Sequence, residues 1–302
     1  MNFSTVKTTA FFSLVLVAGF SGKAFASDER DLRGGHEPHL HHQKGEGHSS
    51  RSGGGSSALL TYRGGNVLHA NKTMAIFWGS EWSNASFAGD KISGLDQFFS
   101  GFSGSRYAGT GSEYSDRMAY VSNQSTYLGK VLDLSAAPRR ALGVAGAIAE
   151  ACKITKNSPD PNAVYFLYTS TGAGNVNYCA WHSWGNCSNG APIQVAYMPR
   201  LDGIAGCDPQ DGTTGHSEGL AAIANVTAHE LLESMTDPRG TGWMDASGSE
   251  NGDKCAWSFP SGNGVSTFAN GSLWKVQMEW SNAAYKAGTG LANLNGQKAC
   301  IY

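Results

Sequence analysis

Residues 217–238 read SEGLAAIANVTAHELLESMTDP and predict one long, mostly apolar helix. The dipeptide Asp237-Pro238 follows as a stop signal, because the residue before a proline is disfavoured in the helical conformation. A mostly apolar helix is expected to be buried, and a buried histidine with two glutamates is costly unless these groups pair or coordinate something. This stretch therefore predicts both a core element and the functional site.

The helix carries the pattern His229-Glu230-x-x-Glu233. His229 and Glu233 are four residues apart, share one helix face and are predicted to bind one divalent cation. In the H-E-x-x-H motif of metallopeptidases the glutamate is the general base, so Glu230 is the predicted catalytic residue. Zinc lowers the pKa of its bound water to about 7, which such a base can exploit. Zinc is the expected cofactor, although two carboxylates also suit a harder divalent cation. The alternative interpretation is a polar helix face whose side chains are paired or solvated.

Further metal ligands are sought downstream of the helix and on a preceding segment. The segment 243–255 offers Glu250, Asp253 and Asp245, and the segment 179–183 offers His182. Glu250, Asp253 and His182 are the predicted additional ligands. Loop carboxylates also form turns, and Asp237 can simply end the helix. The glycine that an EF-hand needs at the sixth loop position is missing, so EF-hand calcium binding is not supported.

Around this helix, apolar patterns predict alternating strands and helices. The predicted strands are 73–79, 117–122, 163–169, 192–198 (polar enough for a sheet edge) and 275–280, and the other predicted helices are 91–102 and 138–153. This order favours an α+β fold with mixed α/β layers. We expect a zincin-like mixed sheet packed on the active-site helix, followed by an irregular, disulfide-tied C-terminal part.

The N-terminal region has the features of a secreted protein. Residues 1–26 are predicted to be a signal peptide, with Lys7 before the apolar run Phe11–Phe20 and the cleavage motif Ala24-Phe25-Ala26. Residues 27–58 are rich in Gly, Ser and His and are predicted to be a disordered spacer. The five histidines of this spacer are interpreted either as solvated side chains of a linker or as metal scavengers, and not as part of the site. Residues 59–302 are predicted to form a single globular domain.

Charge and cysteine content restrict the partners and the chemistry. Removal of the signal peptide changes the formal net charge from −2 to −4, which does not favour nucleic acid or an anionic membrane as a partner. No later segment is apolar enough to span a bilayer.

Six cysteines in an oxidising compartment predict up to three disulfides among 15 pairings, with Cys179–Cys187 and Cys255–Cys300 preferred here. A serine nucleophile is not the preferred interpretation, although Gly215-His-Ser-Glu-Gly219 matches G-x-S-x-G at the predicted start of the long helix.

Several ordered motifs together resemble a known family. They are Cys179-Ala-Trp-His-Ser183, Ile193-Gln-Val-Ala-Tyr-Met-Pro199, Cys207-Asp-Pro209, the H-E-L-L-E-x-x-T-D-P helix and Glu250-Asn-Gly-Asp-Lys-Cys-Ala-Trp257. These motifs look like the bacterial branch of the EXORDIUM (phosphate-induced protein) family, over residues 60–300. The resemblance implies secretion and a shared fold, and it does not imply catalysis. The H-E-x-x-E helix itself is similar to a zincin helix with glutamate at the second histidine position.

Two functions of different classes are consistent with these patterns. The first is a secreted metal-dependent hydrolase that acts on peptides or on a cell-wall or matrix substrate. The second is a non-catalytic extracellular binding or matrix-associated protein directed at carbohydrate. The second hypothesis rests on five tryptophans that could stack on sugars, namely Trp181, Trp184, Trp243, Trp257 and Trp274. A metal with a purely structural role is an intermediate case.

Overall fold

A computed structural model describes Met1, residues 37–45 and residues 58–302. The predicted signal peptide, apart from Met1, and residues 27–36 and 46–57 of the predicted spacer lie outside the described residues. In the described part of the chain, no helix combines the length and apolar character needed to cross a membrane.

The described residues form both strands and helices. The strands are β1 (His39–His42), β2 (Thr61–Tyr62), β3 (Asn71–Trp78), β4 (Ser125–Asp133), β5 (Ala163–Thr169), β6 (Tyr178–Asn186), β7 (Pro192–Met198), β8 (Trp243–Met244), β9 (Ser266–Thr267), β10 (Leu273–Trp274), β11 (Glu279–Trp280), β12 (Leu291–Ala292) and β13 (Lys298–Ile301). The α-helices are α1 (Ala85–Ala88), α2 (Lys91–Phe102), α3 (Val144–Ile154), α4 (Glu218–Thr236) and α5 (Asn282–Ala287).

Six strands form the central sheet in the order β1-β6-β7-β5-β3-β4. Strands β4, β3, β5 and β7 run parallel, β6 is antiparallel to β7, and β1 is antiparallel to β6. The predicted α+β class with a mixed sheet is confirmed. The prediction that residues 192–198 lie at a sheet edge is wrong, because β7 pairs on both sides. Its polar residue Gln194 is buried and donates a hydrogen bond from Nε2 to the carbonyl of Pro161 (3.1 Å).

The two faces of the sheet are covered by different helices. Alternate residues of a strand point to opposite faces, so Phe166 joins the core beneath α2 and α4, whereas Leu167 joins the core beneath α3. The larger core also includes residues of the C-terminal part, among them Trp274 and Trp280. This arrangement places α4 in the interior, with one side against the sheet and the other against the C-terminal loops.

Several predicted elements match the structure and others do not. The bounds predicted for α2, β5 and β7 are confirmed, while the helix predicted from Pro138 begins only at Val144. The strand predicted at 117–122 is wrong, since this region contributes only a bridge between Ser115 and Tyr120. The edge strand β4 and the strand β6 were not predicted. Of the predicted strand 275–280, only Glu279–Trp280 is a strand.

All six cysteines form disulfides in the C-terminal half of the chain. The pairs are Cys152–Cys187, Cys179–Cys207 and Cys255–Cys300. The predicted pair Cys255–Cys300 is confirmed, and the predicted local pair Cys179–Cys187 is wrong. Cys179 lies near the start of the extended strand β6, and Cys187 directly follows its end. The extended chain between them holds the two sulfur atoms too far apart for a disulfide.

Candidate metal centre

Helix α4 positions the three ionisable residues of the H-E-x-x-E motif inside the protein. Ser217 caps the helix by accepting a hydrogen bond at Oγ from the backbone N–H of Leu220 (3.1 Å). His229 and Glu230 are fully buried, and Glu233 is 1% exposed. Nε2 of His229 lies 3.1 Å from Oε1 of Glu233, as expected for residues one turn apart.

The loop that follows β8 brings Asp253 to the same point. The backbone N–H of Asp253 donates to Oε1 of Glu233 (2.9 Å), and Oδ1 of Asp253 lies 3.9 Å from Nε2 of His229. Gly252 permits this close approach, because a Cβ at that position would lie 2.6 Å from Nδ1 of His229. A glycine is therefore required where the loop passes over the helix.

Strand β6 contributes His182 from the sheet side of the cluster. Its Nδ1 lies 2.9 Å from Oε2 of Glu230 and 3.6 Å from Oε2 of Glu233. Its Nε2 lies 3.5 Å from Oε2 of Glu250. His182 therefore joins the helix residues to the loop residue Glu250, and every predicted site residue is brought into one buried cluster.

The structure adds two histidines that the sequence interpretation excluded from the site. Strand β1 carries His39, whose Nδ1 lies 2.8 Å from Oε2 of Glu250 and whose ring stacks on His182 at 5.0 Å. The His41 ring is buried 3.9 Å from the His229 ring. The prediction of a disordered spacer is therefore wrong for residues 37–45. The signal that could have found β1 is its alternation, since the apolar Leu40 separates two histidines that share one face.

The ligating atoms of these residues form three overlapping triads. They are His229, Glu233 and Asp253; His182, Glu230 and Glu233; and His39, His182 and Glu250, and the atoms of each triad lie within 4.8 Å of one another. Ligands 2.0–2.2 Å from a tetrahedral zinc are about 3.3–3.6 Å apart. The histidine–carboxylate pairs here lie 2.8–3.9 Å apart, and no two ligating atoms of a triad are more than 4.8 Å apart. The geometry is therefore compatible with a metal ion.

The protonation equilibria show how strongly burial opposes charge in this cluster. Burial, followed by the negative charges of Glu233, Asp253 and Glu250, raises the pKa of Glu230 well above its ordinary value. Burial likewise raises the pKa of Glu250 and lowers the pKa of His182 well below the usual range. A bound divalent cation would reverse this preference for the carboxylates, because ionised carboxylates and neutral imidazoles are the forms that coordinate metals.

Unsatisfied buried oxygens give an independent test of whether a cation fits. Among the described residues, Oε1 of Glu230 and Oε1 of Glu250 are buried and have no hydrogen-bond partner. Leaving such an acceptor unpaired costs about 1–3 kcal/mol. Since a metal ion would satisfy lone pairs of this kind, the buried His/Glu groups fit a divalent cation.

Residues behind the cluster fix the orientation of its members. The side-chain amide of Gln277 contacts Nδ1 of His229, so that Nε2 faces Glu233 and Asp253. The backbone N–H of Gln277 donates to Oδ1 of Asn225 (2.9 Å), which holds Gln277 beside α4. The backbone N–H of Trp257 donates to Oε1 of Gln277 (3.1 Å), so the amide nitrogen faces His229. The contact orients the ring but differs from the usual one, in which a metal-binding histidine donates its second ring N–H to an acceptor.

A second buried carboxylate lies behind the loop that carries Glu250. Glu279 accepts hydrogen bonds from Tyr107 Oη and from Nδ2 of Asn251, both at 2.8 Å. Asn251 in turn accepts one from Oγ1 of Thr236 (2.8 Å). The loop is thus anchored to the end of α4 next to Glu250.

Two other acidic candidates have structural roles in the described chain. Asp245 pairs with Lys254 (2.8 Å) and accepts a hydrogen bond from the backbone N–H of Ser247 (2.8 Å), so it stabilises a turn. Asp237 accepts hydrogen bonds at Oδ1 from the backbone N–H groups of Thr241 and Gly242, both at 2.7 Å. Neither residue belongs to one of the three triads.

The tryptophans that suggested carbohydrate binding are mostly in the interior. Trp181 and Trp274 are essentially inaccessible, and Trp257 is 8% exposed and lies against His41. The half-buried Trp243 donates from Nε1 to the carbonyl of Ser115 (2.7 Å). These side chains pack and hydrogen bond instead of forming an exposed platform.

The fold and the site together define an α+β protein whose central helix carries a buried histidine-carboxylate cluster able to hold a metal ion. Three disulfides suggest an extracellular protein. No protein-family profile, curated protein or solved structure matches the chain.

Proposed function

We propose that this protein is a secreted metal-dependent hydrolase that acts on peptides. The observation that carries the proposal is the position of the Glu230 carboxylate, buried in contact with His182 and adjacent in sequence to His229. A general base needs this nearness to the metal-binding groups, because it must reach the water that attacks the substrate.

The first triad supplies the preferred metal ligands. His229, Glu233 and Asp253 offer one imidazole and two carboxylates, a donor set that suits zinc and also other divalent cations. The metal would polarise the scissile carbonyl and acidify the attacking water. His182 and Glu250 are the remaining predicted ligands: His182, on β6, contacts Glu230, and Glu250, on the loop after β8, contacts His182.

The role of Glu230 is to move one proton. Its carboxylate takes a proton from the water as the water oxygen bonds to the carbonyl carbon. The carbon–nitrogen bond then breaks and the same proton passes to the departing nitrogen, so that one carboxylic acid and one amine are released. His182 lies 2.9 Å from Oε2 of Glu230 and holds that carboxylate in place.

Elemental analysis of the secreted chain and of its His229→Ala variant tests the metal site. We expect about one divalent cation per chain, lost in the variant, for a mononuclear site. The matched control is His69→Ala, which removes a histidine paired with Asp116 away from the cluster. Histidines of the undescribed segments are common to all three proteins, so their background binding cancels. Equal metal content in all three folded proteins would contradict the proposal.

We also propose, on the motifs in residues 179–257, that the chain belongs to the bacterial branch of the EXORDIUM family. The assignment rests on the order and spacing of those motifs in the sequence. It supports secretion and adds nothing about the reaction, so the hydrolase proposal depends on the site alone.

A further inference from the structure

Strand β1 is an addition to the edge of the sheet. It pairs antiparallel with β6, with His39 opposite His182 and His41 opposite Ala180. Without β1, strand β6 would be the edge strand on this side, with a row of unpaired main-chain groups directly beside the metal ligands.

The two faces of β1 have different surroundings. The side chains of His39 and His41 point into the cluster, where they contact Glu250 and the His229 ring. Leu40 points to the opposite face and packs on the core beneath α3, opposite Trp181 in the register. The strand therefore presents alternate side chains to the metal centre, as an extended peptide bound at a sheet edge would.

Noncovalent contacts hold the C-terminal end of this strand. The Gln43 backbone N–H donates to the carbonyl of Asn177 (2.9 Å), and the Lys44 N–H donates to that of Gly206 (2.7 Å). Nε1 of Trp257 donates to the His42 carbonyl (3.0 Å). All six cysteines lie from Cys152 onwards, so every disulfide is formed elsewhere and β1 has no covalent cross-link to the sheet.

We propose that the edge of β6 is a binding site for an extended peptide and that β1 is its intramolecular occupant. This inference rests on the proposed function, since it places the peptide substrate where β1 lies and makes departure of β1 a condition for its entry. A peptide bound in this way would gain main-chain hydrogen bonds from β6 and would place alternate side chains over the metal centre. The contrary arrangement is one in which His39 is a permanent metal ligand and β1 must stay docked.

The sign of one substitution separates these arrangements. Leu40→Asp puts a charge against the apolar core beneath α3 and leaves both site-facing histidines intact. Displacement of β1 should raise peptide hydrolysis by the full chain about tenfold or more, because the competent fraction of molecules limits apparent affinity. The matched control is Leu132→Asp, a partly exposed leucine on β4 at the opposite edge of the sheet, which should leave the rate unchanged. An unchanged or lower rate for Leu40→Asp would overturn the proposal.

Peptide binding gives a readout that does not depend on hydrolysis. A fluorescent peptide with the sequence of residues 37–45, Glu-Pro-His-Leu-His-His-Gln-Lys-Gly, is the probe. It should bind the Leu40→Asp chain about tenfold more tightly than the unaltered chain, whose edge is already occupied. Equal binding to both chains, or none to either, would overturn the proposal.

A second variant covers the case in which Leu40→Asp does not fold. The double substitution His39→Ala and His41→Ala keeps Leu40 in its core and removes the contacts to Glu250 and His229. It should also raise hydrolysis and probe binding, and loss of both would make the histidines permanent ligands and overturn the proposal.

The two proposals fail in different ways. Tight probe binding to Leu40→Asp without metal-dependent hydrolysis by any variant would support the peptide edge and contradict the hydrolase. Hydrolysis that needs metal and Glu230 but is the same in the unaltered and Leu40→Asp chains would support the hydrolase and overturn the role of β1.

Discussion

Two sets of acidic side chains in this protein have different counter-charges. In the lysine-paired set, each carboxylate contacts a lysine: Asp96 with Lys130, Asp133 with Lys153, Asp160 with Lys72, Asp202 with Lys91, and Asp245 with Lys254. In the central set, Glu230, Glu233, Glu250 and Asp253 face His39, His182 and His229. The chain supplies a lysine for each carboxylate of the first set and only histidines for the second.

The energetic meaning of a carboxylate differs between the two sets. Partly exposed pairs such as Asp202–Lys91 contribute about 0–1 kcal/mol each, because water screens them. Glu230 and Glu250 are 0% exposed, and burying an ion without a full counter-charge costs several kcal/mol. The raised pKa values of Glu230 and Glu250 show that the metal-free protein avoids this cost by protonating them, and the central set can carry its full charge only beside a cation.

The largest expected effect comes from Glu230→Gln, which keeps the shape of the side chain and removes its base. Peptide hydrolysis should fall about a hundred- to ten-thousandfold, the usual contribution of a positioned acid-base group. Metal content should be unchanged, since His229, Glu233 and Asp253 are intact. Steady-state rates and elemental analysis of the same preparation check both statements. Glu218→Gln, in the exposed first turn of the same helix, is the control and should keep full activity.

Metal removal should act on the central set and not on the lysine-paired set. Metal at a thousand times its dissociation constant stabilises the folded state by about 4 kcal/mol, so a chelator should lower the unfolding temperature. Calorimetry with and without chelator measures the shift. His229→Ala should abolish this shift, whereas Asp245→Asn should retain it. An equal shift in His229→Ala would mean that the stabilising ion binds elsewhere.

A smaller effect is expected where the loop passes over α4. In Gly252→Ala the new Cβ would lie 2.6 Å from Nδ1 of His229 and 2.9 Å from Oε1 of Glu233, so the loop must move away. Metal affinity should fall about ten- to a hundredfold, as for other changes that disturb ligand orientation. Competition with a chelator of known affinity measures it. Gly212→Ala, where a Cβ would meet open space, should leave the affinity unchanged.

The smallest effect should come from the lysine-paired set and should depend on pH. Burial opposes ionisation of Asp245, but hydrogen bonds from Lys254 and Ser247 outweigh it and hold its pKa below the ordinary 3.8. This stabilisation is present above pH 3.8 and is lost as the pH falls through the lower folded-state pKa. Asp245→Asn should cost about 1–2 kcal/mol at pH 7 and less as the solution is acidified. Denaturant unfolding of both proteins at pH 7 and below pH 3.8 tests this. A cost of the substitution that grows on acidification would contradict it.

Local patterns were sufficient for elements that carry a strong apolar pattern in their own sequence. The apolar periodicity of Lys91–Phe102 and the continuous apolar run Ala163–Thr169 predicted α2 and β5 with the observed bounds. The spacing of His229, Glu230 and Glu233 predicted a shared helical site for the same reason. Elements without a strong apolar pattern were missed, as with β4, which alternates between intermediate and exposed residues along a sheet edge.

The central set itself shows where sequence information ends. The sequence offered four polar residues near glycine or tryptophan as candidate further ligands, namely Glu250, Asp253, His182 and Asp245. The structure brings three of them to α4 and gives Asp245 to Lys254, because the path of the loop over Gly252 decides which carboxylates face inward.

The sequence by itself determined the buried helix α4, its three ionisable residues and the mixed α+β class, because helix periodicity and apolar runs depend on nearby residues. Only the tertiary structure decided that His39 and His41 belong to the centre. Their segment is polar and lacks a core of its own, and its order comes from main-chain pairing with β6, some 140 residues later in the chain. Pairing of this kind depends on an available sheet edge, which no local pattern in either segment encodes.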